Sequence, residues 1–223
     1  MTRTRLSERQ LPTYTRGEEV FNTVSHIVGG AFGICALVLC VVLSALKREV
    51  WSVVSGAIYG GTMIILYTMS SVYHGVTAPM AKKVMQVLDH CTIYGLIAGT
   101  YTPVLLCAIR TVSPGWGWAL FGIVWGLAAI ATVFTAIDLK RYKIFSMICY
   151  LGMGWCIIFA FKPAIQAIPR PGLILILLGG IAYTVGAVLF GLGKKYRYMH
   201  SVFHLFVLAG SVLHFFAILL YIL

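Results

Sequence analysis

The feature that most constrains this chain is a succession of seven apolar stretches, each near the length needed to cross a hydrocarbon layer. They fall at about 21–46, 51–74, 84–109, 116–137, 144–161, 172–193 and 199–221. A core about 30 Å thick takes about 20 helical residues. In lipid every backbone N–H and C=O must be satisfied inside the segment, so each stretch predicts a helix. The separators are short and polar or turn-forming, such as Lys47-Arg48-Glu49, Asp138 to Lys143 and Lys162 to Pro171. The predicted fold is therefore all-α, an integral membrane bundle of seven transmembrane helices. Residues 1–17 form a polar, flexible cytoplasmic segment before it, and residues 18–223 form the membrane domain. Only 10% of the chain is charged, against about 25% in soluble domains. No separator is long enough to fold alone, so any chemistry takes place inside the bundle.

A formal charge of +11 would suit a nucleic-acid partner if the basic residues were clustered on a soluble face. They lie instead in the connections, which predicts a membrane topology and no nucleic acid. Twelve of the 17 Lys and Arg fall on the N-terminal side: Arg3, Arg5, Arg9, Arg16, Lys82, Lys83, Lys140, Arg141, Lys143, Lys194, Lys195 and Arg197. The other five are Lys47, Arg48, Arg110, Lys162 and Arg170. This asymmetry predicts a cytoplasmic N-terminus and an outside C-terminus in a multi-pass protein of the cell membrane. The first apolar run is too long for a signal-peptide core and is expected to stay as an anchor. The six cysteines lie inside apolar runs without a CxxC pair, as small buried residues and not as disulfides or ligands.

Alternation of helix direction sets the depth of each polar residue. Ser70 and His74 fall at the N-terminal-side end of the second helix, Asp89 and His90 at the start of the third, and His200 and His204 at the start of the seventh. Residues four apart lie about 40° apart around a helix and about 6 Å along it, so each such pair shares a face. Three helices thus bring His74, His200, His204, Asp89 and Ser70 to one membrane depth. Three neutral imidazoles suit a zinc ion with one position left open, and zinc makes water a nucleophile near neutral pH. Asp89, the only acidic residue expected within a span, needs a partner there. It would take a proton from water and pass it on, or else reach the interface and pair with a lysine. Ser70 would donate to a developing oxyanion, or else bond back to its own helix. On the first helix Glu19, Asn22 and His26 form one stripe, suited to binding substrate or a headgroup or to orienting a metal ligand. His90 and His214 are expected to be packing residues bonded to neighbouring helices.

Three ordered motifs, Ser70-Ser71-Val72-Tyr73-His74, Leu88 to Pro103, and His200-Ser201-Val202-Phe203-His204 through Leu213-His214-Phe215, resemble the hemolysin III family. That family belongs with the progestin and adiponectin receptor (PAQR) proteins and, more distantly, the alkaline ceramidases. Glu19, Asn22, Ser25 and His26 are similar to its opening helix, and the likeness runs from Glu18 onward. The resemblance implies zinc held by His74, His200 and His204, with Asp89 and Ser70 beside it. In the ceramidase and receptor relatives the chemistry implied is amide hydrolysis of a lipid. The receptors' sizeable N-terminal domain has no counterpart here, which weakens a ligand-receptor reading.

Three functions compete on sequence alone. The first is a zinc-dependent hydrolase of a lipid amide or ester, with membrane lipid as its partner. The second is a sensor or membrane-homeostasis protein whose zinc is structural, and the third a channel or cytolysin, as the hemolysin name implies. A channel needs polar residues through the whole depth, and the far halves of the spans are almost entirely apolar.

Overall fold

The computed structural model describes residues 4–193 and 196–223. Among them, seven helices are long and apolar enough to cross a membrane: α1 (Arg16–Leu46), α2 (Val50–Gly75), α3 (Pro79–Val112), α4 (Pro114–Ile137), α5 (Lys143–Ala167), α6 (Arg170–Leu192) and α7 (Met199–Tyr221). The chain is an all-helical, multi-pass integral membrane protein. Of the basic residues counted above, Arg3, Lys194 and Lys195 lie outside the described residues.

Three boundaries depart from the expectation. Helix α1 begins at Arg16 because Thr15 caps it: the Glu18 backbone N–H donates to the Thr15 hydroxyl, and the Thr15 N–H donates to the Glu18 carboxylate (2.8 Å). This reciprocal box satisfies two otherwise orphaned donors and draws Glu18 and Glu19 into the helix. Asp89 is therefore not the only acidic residue of a spanning helix. Helix α3 starts on Pro79, which needs no N–H at that position, and its Pro103 is followed by a π-helical stretch, Val104–Ile109. Helix α5 runs on through the segment expected to be a loop. It breaks at a 3-10 turn, Cys156–Ala160, and resumes as Phe161–Ala167. The restart places Pro163 in a first turn, where proline is tolerated.

The helices form a ring. Helix α1 packs along α2, α2 along α3, α3 against α4 and α5, α6 along α7, and α7 returns to α1. Close backbone approach between α5 and α6 is concentrated at the turn joining them, far from the N-terminal face. One apolar core lies among α3, α4 and α5, around Tyr94, Leu105, Val124 and Met153. A second lies among α1, α2 and α7, around Ala36, Tyr59, Met63 and Phe215. Between them the ring encloses a cavity of about 1180 Å³, larger than the about 300–1,000 Å³ of typical small-ligand pockets.

Candidate metal centre

The N-terminal-side end of this cavity is where the polar residues meet. His74 arrives on the last turn of α2, and His200 and His204 on the first turns of α7; all three are buried. Their ligand nitrogens lie within 4.8 Å of one another. The Nε2 atoms of His74 and His200 are 3.3 Å apart, and those of His200 and His204 3.0 Å apart. Nitrogens bound to zinc at about 2.0–2.1 Å in a tetrahedron stand about 3.3 Å from each other. The spacing fits.

The tautomer fits as well. His74 Nδ1 is 2.7 Å from Glu19 Oε2, so Nδ1–H donates to the carboxylate, which in a neutral imidazole leaves the Nε2 lone pair for the cluster. A carboxylate behind the imidazole both orients the ring and strengthens it as a ligand. Lys82 pairs with the other Glu19 oxygen at 2.8 Å and donates to the carbonyls of His74 and Val76, closing the C-terminal end of α2. Asn22 lies 3.4 Å from the same His74 nitrogen. His26 stacks on His204, with ring centroids 3.8 Å apart, and neither of its ring nitrogens has a hydrogen-bond partner. The α1 stripe expected at this mouth is thus brought together with the three histidines.

Ser70 and Asp89 line the cavity beside the cluster. The helix back-bond foreseen for Ser70 is made by its neighbour, Ser71, to the Tyr67 carbonyl (2.7 Å). Lys83, the lysine nearest to Asp89 in sequence, donates to the Ser7 carbonyl at 2.6 Å. Asp89 keeps a 14% exposed side chain toward the cavity, with His90 Nδ1 3.7 Å away. His90 Nδ1–H donates to the Gln86 carbonyl of its own helix at 2.8 Å, while His214 Nε2–H donates across to Ile176 of α6 at 3.0 Å. His214 meets the packing expectation; His90 bonds within its own helix, because its ring lies along α3. Both rings line the cavity wall.

Two residues that position the cluster carry no site role in the sequence analysis. Glu18 Oε1 accepts the Tyr198 N–H at 2.8 Å, tying the start of α1 to the start of α7. That bond holds Tyr198 at a left-handed φ of 61°, a strained conformation for a non-glycine residue, two positions before His200. The Thr15-x-x-Glu18 spacing is a legible cap signature, but its second carboxylate oxygen is free to do long-range work that no spacing shows. Tyr14 is the other: its ring stacks on His200 at 4.8 Å and 23°. Burial, then the carboxylates of Glu19, Asp89 and Glu18, push its phenol well above the usual range, so it stays neutral.

Away from the cluster the wall turns apolar. Leu66, Ile93, Leu96, Ile97 and Val104 continue it on α2 and α3, and Ile158, Ile165, Leu173 and Leu177 on α5 and α6.

The family described as haemolysin-III related matches residues 14–215. Hemolysin-3 of Bacillus cereus is 39% identical over 206 residues, covering 92% of each chain. The Hemolysin-3 homolog of Bacillus subtilis (strain 168) is 39% identical over 208 residues, covering 93% of this chain and 96% of that one. The human monocyte to macrophage differentiation factor is 28% identical over 198 residues, covering 84% of this chain and 78% of its own.

Proposed function

The chain belongs to the haemolysin-III related family, within the PAQR group, and from that premise we propose that it is a zinc-dependent hydrolase of a membrane lipid amide or ester. The observation that carries this reading is the convergence of three imidazole nitrogens within 4.8 Å at the polar end of an otherwise apolar cavity. A lipid places its polar linkage at the cluster and its chain against the apolar wall, entering between α5 and α6, whose backbones approach closely only at their joining turn and which Trp155 and Thr184 bridge. His74, His200 and His204 hold the ion; Glu19 fixes the His74 ring. A zinc ion there would supply Lewis-acid polarisation and a low-pKa water. Asp89 takes the proton of the attacking water and delivers it to the leaving nitrogen or oxygen. Ser70 donates its hydroxyl to the oxygen on which negative charge develops. Asn22 and His26 flank the linkage, and the N-terminal face is the cytoplasmic face of the cell membrane, in keeping with the placement of basic residues.

One observation favours a second reading. His26, buried and with both nitrogens unpartnered, stands one ring away from His204. If it turned in as a fourth ligand, the site would close and the ion would be structural, as in a sensor. The Bacillus relatives carry hemolysin in their names, but a conducting path needs polar walls throughout, and here Ala164, Ile165, Leu173 and Ile174 form the far end.

The test joins metal analysis of purified protein to a lipid-product screen of wild type against Asp89→Ala. About one zinc per chain with product formed only by wild type is expected. Zinc without any difference in products favours the sensor, and no metal in wild type rejects both.

A further inference from the structure

Residues 4–15 lie across the N-terminal end of the helix ring, where the polar part of the cavity would otherwise open to water. Thr4 N–H donates to the buried Asp138 carboxylate in the α4–α5 connection at 2.8 Å. Lys83, at the start of α3, donates to the Ser7 carbonyl at 2.6 Å. Arg9 is buried, and Glu8, Arg9, Gln10, Leu11, Pro12 and Thr13 line the cavity. Tyr14 then stacks on His200 at 4.8 Å and stands 5.6 Å from the His74 ring, before Thr15 caps α1. Fully extended, ten residue steps would reach about 33 Å; the 3-10 turn at Leu6–Glu8 shortens this by a few ångströms, to about 29 Å. The segment runs from the α4–α5 connection to the α1–α7 edge, ending with Tyr14 against the rings of His74 and His200.

Its attachments differ in kind from those of the helices. They include the hydrogen bonds of Thr4 and Ser7, the packing of the Leu6–Glu8 turn on α3, the burial of Arg9 and the Tyr14 ring stack, with no apolar helix face behind them. Such a segment opens locally without disturbing the bundle. Its far anchor is firm at neutral pH. Burial pushes the Asp138 carboxyl upward, but the N–H groups of Thr4, Arg141 and Lys140 outweigh that and hold it below its ordinary value, as a carboxylate.

We propose that residues 4–15 are a movable strap closing the polar end of the cavity, with Tyr14 as its latch on His200, so that soluble solutes reach the histidine site only when the strap lifts. The strap separates two routes: lipid from the membrane through the α5–α6 seam, and water or polar products through the N-terminal face. The arrangement holds whatever chemistry the histidines serve.

The test needs neither metal nor turnover. Ile93 lines the cavity one turn beyond Asp89 and belongs to none of the machinery described. An Ile93→Cys chain in nanodiscs is exposed to a charged maleimide that cannot enter through lipid, with labelling of the native cysteines subtracted as baseline. Tyr14→Ala should label about three- to tenfold faster than the Ile93→Cys parent, the population shift expected for losing one aromatic stack. Thr4→Pro, which deletes the N–H that Asp138 accepts, should label faster by a smaller factor, and Tyr14→Phe, which keeps the ring, should match the parent. Equal rates in the parent, Tyr14→Ala and Thr4→Pro would overturn the strap. So would a parent rate equal to that of a cysteine at exposed Arg48. Tyr14→Phe labelling as fast as Tyr14→Ala would overturn the ring as latch. If Tyr14→Ala does not fold, Thr4→Pro decides.

Discussion

The two walls of the cavity are built differently. On the α1–α2 side the helices are drawn together by residues without side chains: a Cβ at Gly60 would sit 2.5 Å from the Leu37 Cα and 2.6 Å from its Cβ. Helices α6 and α7 meet in the same way at Gly179, which leaves no room beside the His214 ring. Close backbone approach through small residues is how membrane helices pack without a hydrophobic driving force. Helix α5 is the opposite case. It is broken at Cys156–Ala160, its Gly152 and Gly154 have open space where a Cβ would point, and its backbone approaches α6 closely only near their joining turn, with the Trp155 indole N–H reaching across to the Thr184 hydroxyl at 3.0 Å. Every candidate ligand and partner, on α1, α2, α3 and α7, belongs to closely packed helices, whereas α5 contributes mostly apolar lining. Fixed geometry goes with the chemistry, and loose packing with access.

That division can be broken most forcefully at the ligands. His204→Ala should lose more metal affinity than the about 10–100-fold that an outer partner of a ligand is worth, read as zinc per chain after dialysis against a weak chelator. Zinc content equal to wild type would remove the tight wall's role in holding the ion. Next in size is a change to the packing itself. Gly60→Val forces α1 and α2 apart and should cost about 1–3 kcal/mol, as overpacking does, seen as a lower melting temperature in detergent. An unchanged melting temperature would mean that the contact is not as close as described. Glu19→Gln keeps the shape of the side chain but weakens the hold on His74 Nδ1–H. It should reduce metal affinity by about 10–100-fold with the fold intact; an equal affinity would detach Glu19 from the site. The smallest effect belongs to the loose wall: Gly152→Ala meets nothing and should shift stability by no more than about 0.5 kcal/mol. A large loss there would show α5 to be packed as tightly as α2.

The same division separates what the sequence disclosed from what it did not. The seven spans were readable because bilayer thickness sets the length of an apolar run. The convergence of His74, His200 and His204 was readable because alternating helix direction fixes depth. The Glu19-Asn22-His26 stripe was readable as one face, but its contact with His74 depends on how α1 and α2 rotate against each other, which spacing does not encode. Glu18 and Tyr14 were out of reach for a related reason. Their partners, Tyr198 and His200, lie more than 170 positions away, and neither is apolar patterning. The second half of α5 was misread because Lys162 to Pro171 reads as a polar, turn-forming separator, yet a helix that restarts at Phe161 accommodates Pro163 in its first turn. Patterning reports each helix alone; the site is made where helices touch.

The central claim, that the histidine cluster serves hydrolysis with Asp89 moving the proton, turns on one substitution. Asp89→Asn preserves size and hydrogen bonding but cannot accept a proton. The measurement is the turnover of long-chain lipid amides and esters by reconstituted protein, with zinc content and melting temperature taken on the same samples. Zinc and stability at wild-type level, with turnover down by about 10²–10⁴-fold as for a lost general base, is the predicted result. An Asp89→Asn protein that keeps its zinc, its stability and its full turnover would contradict it.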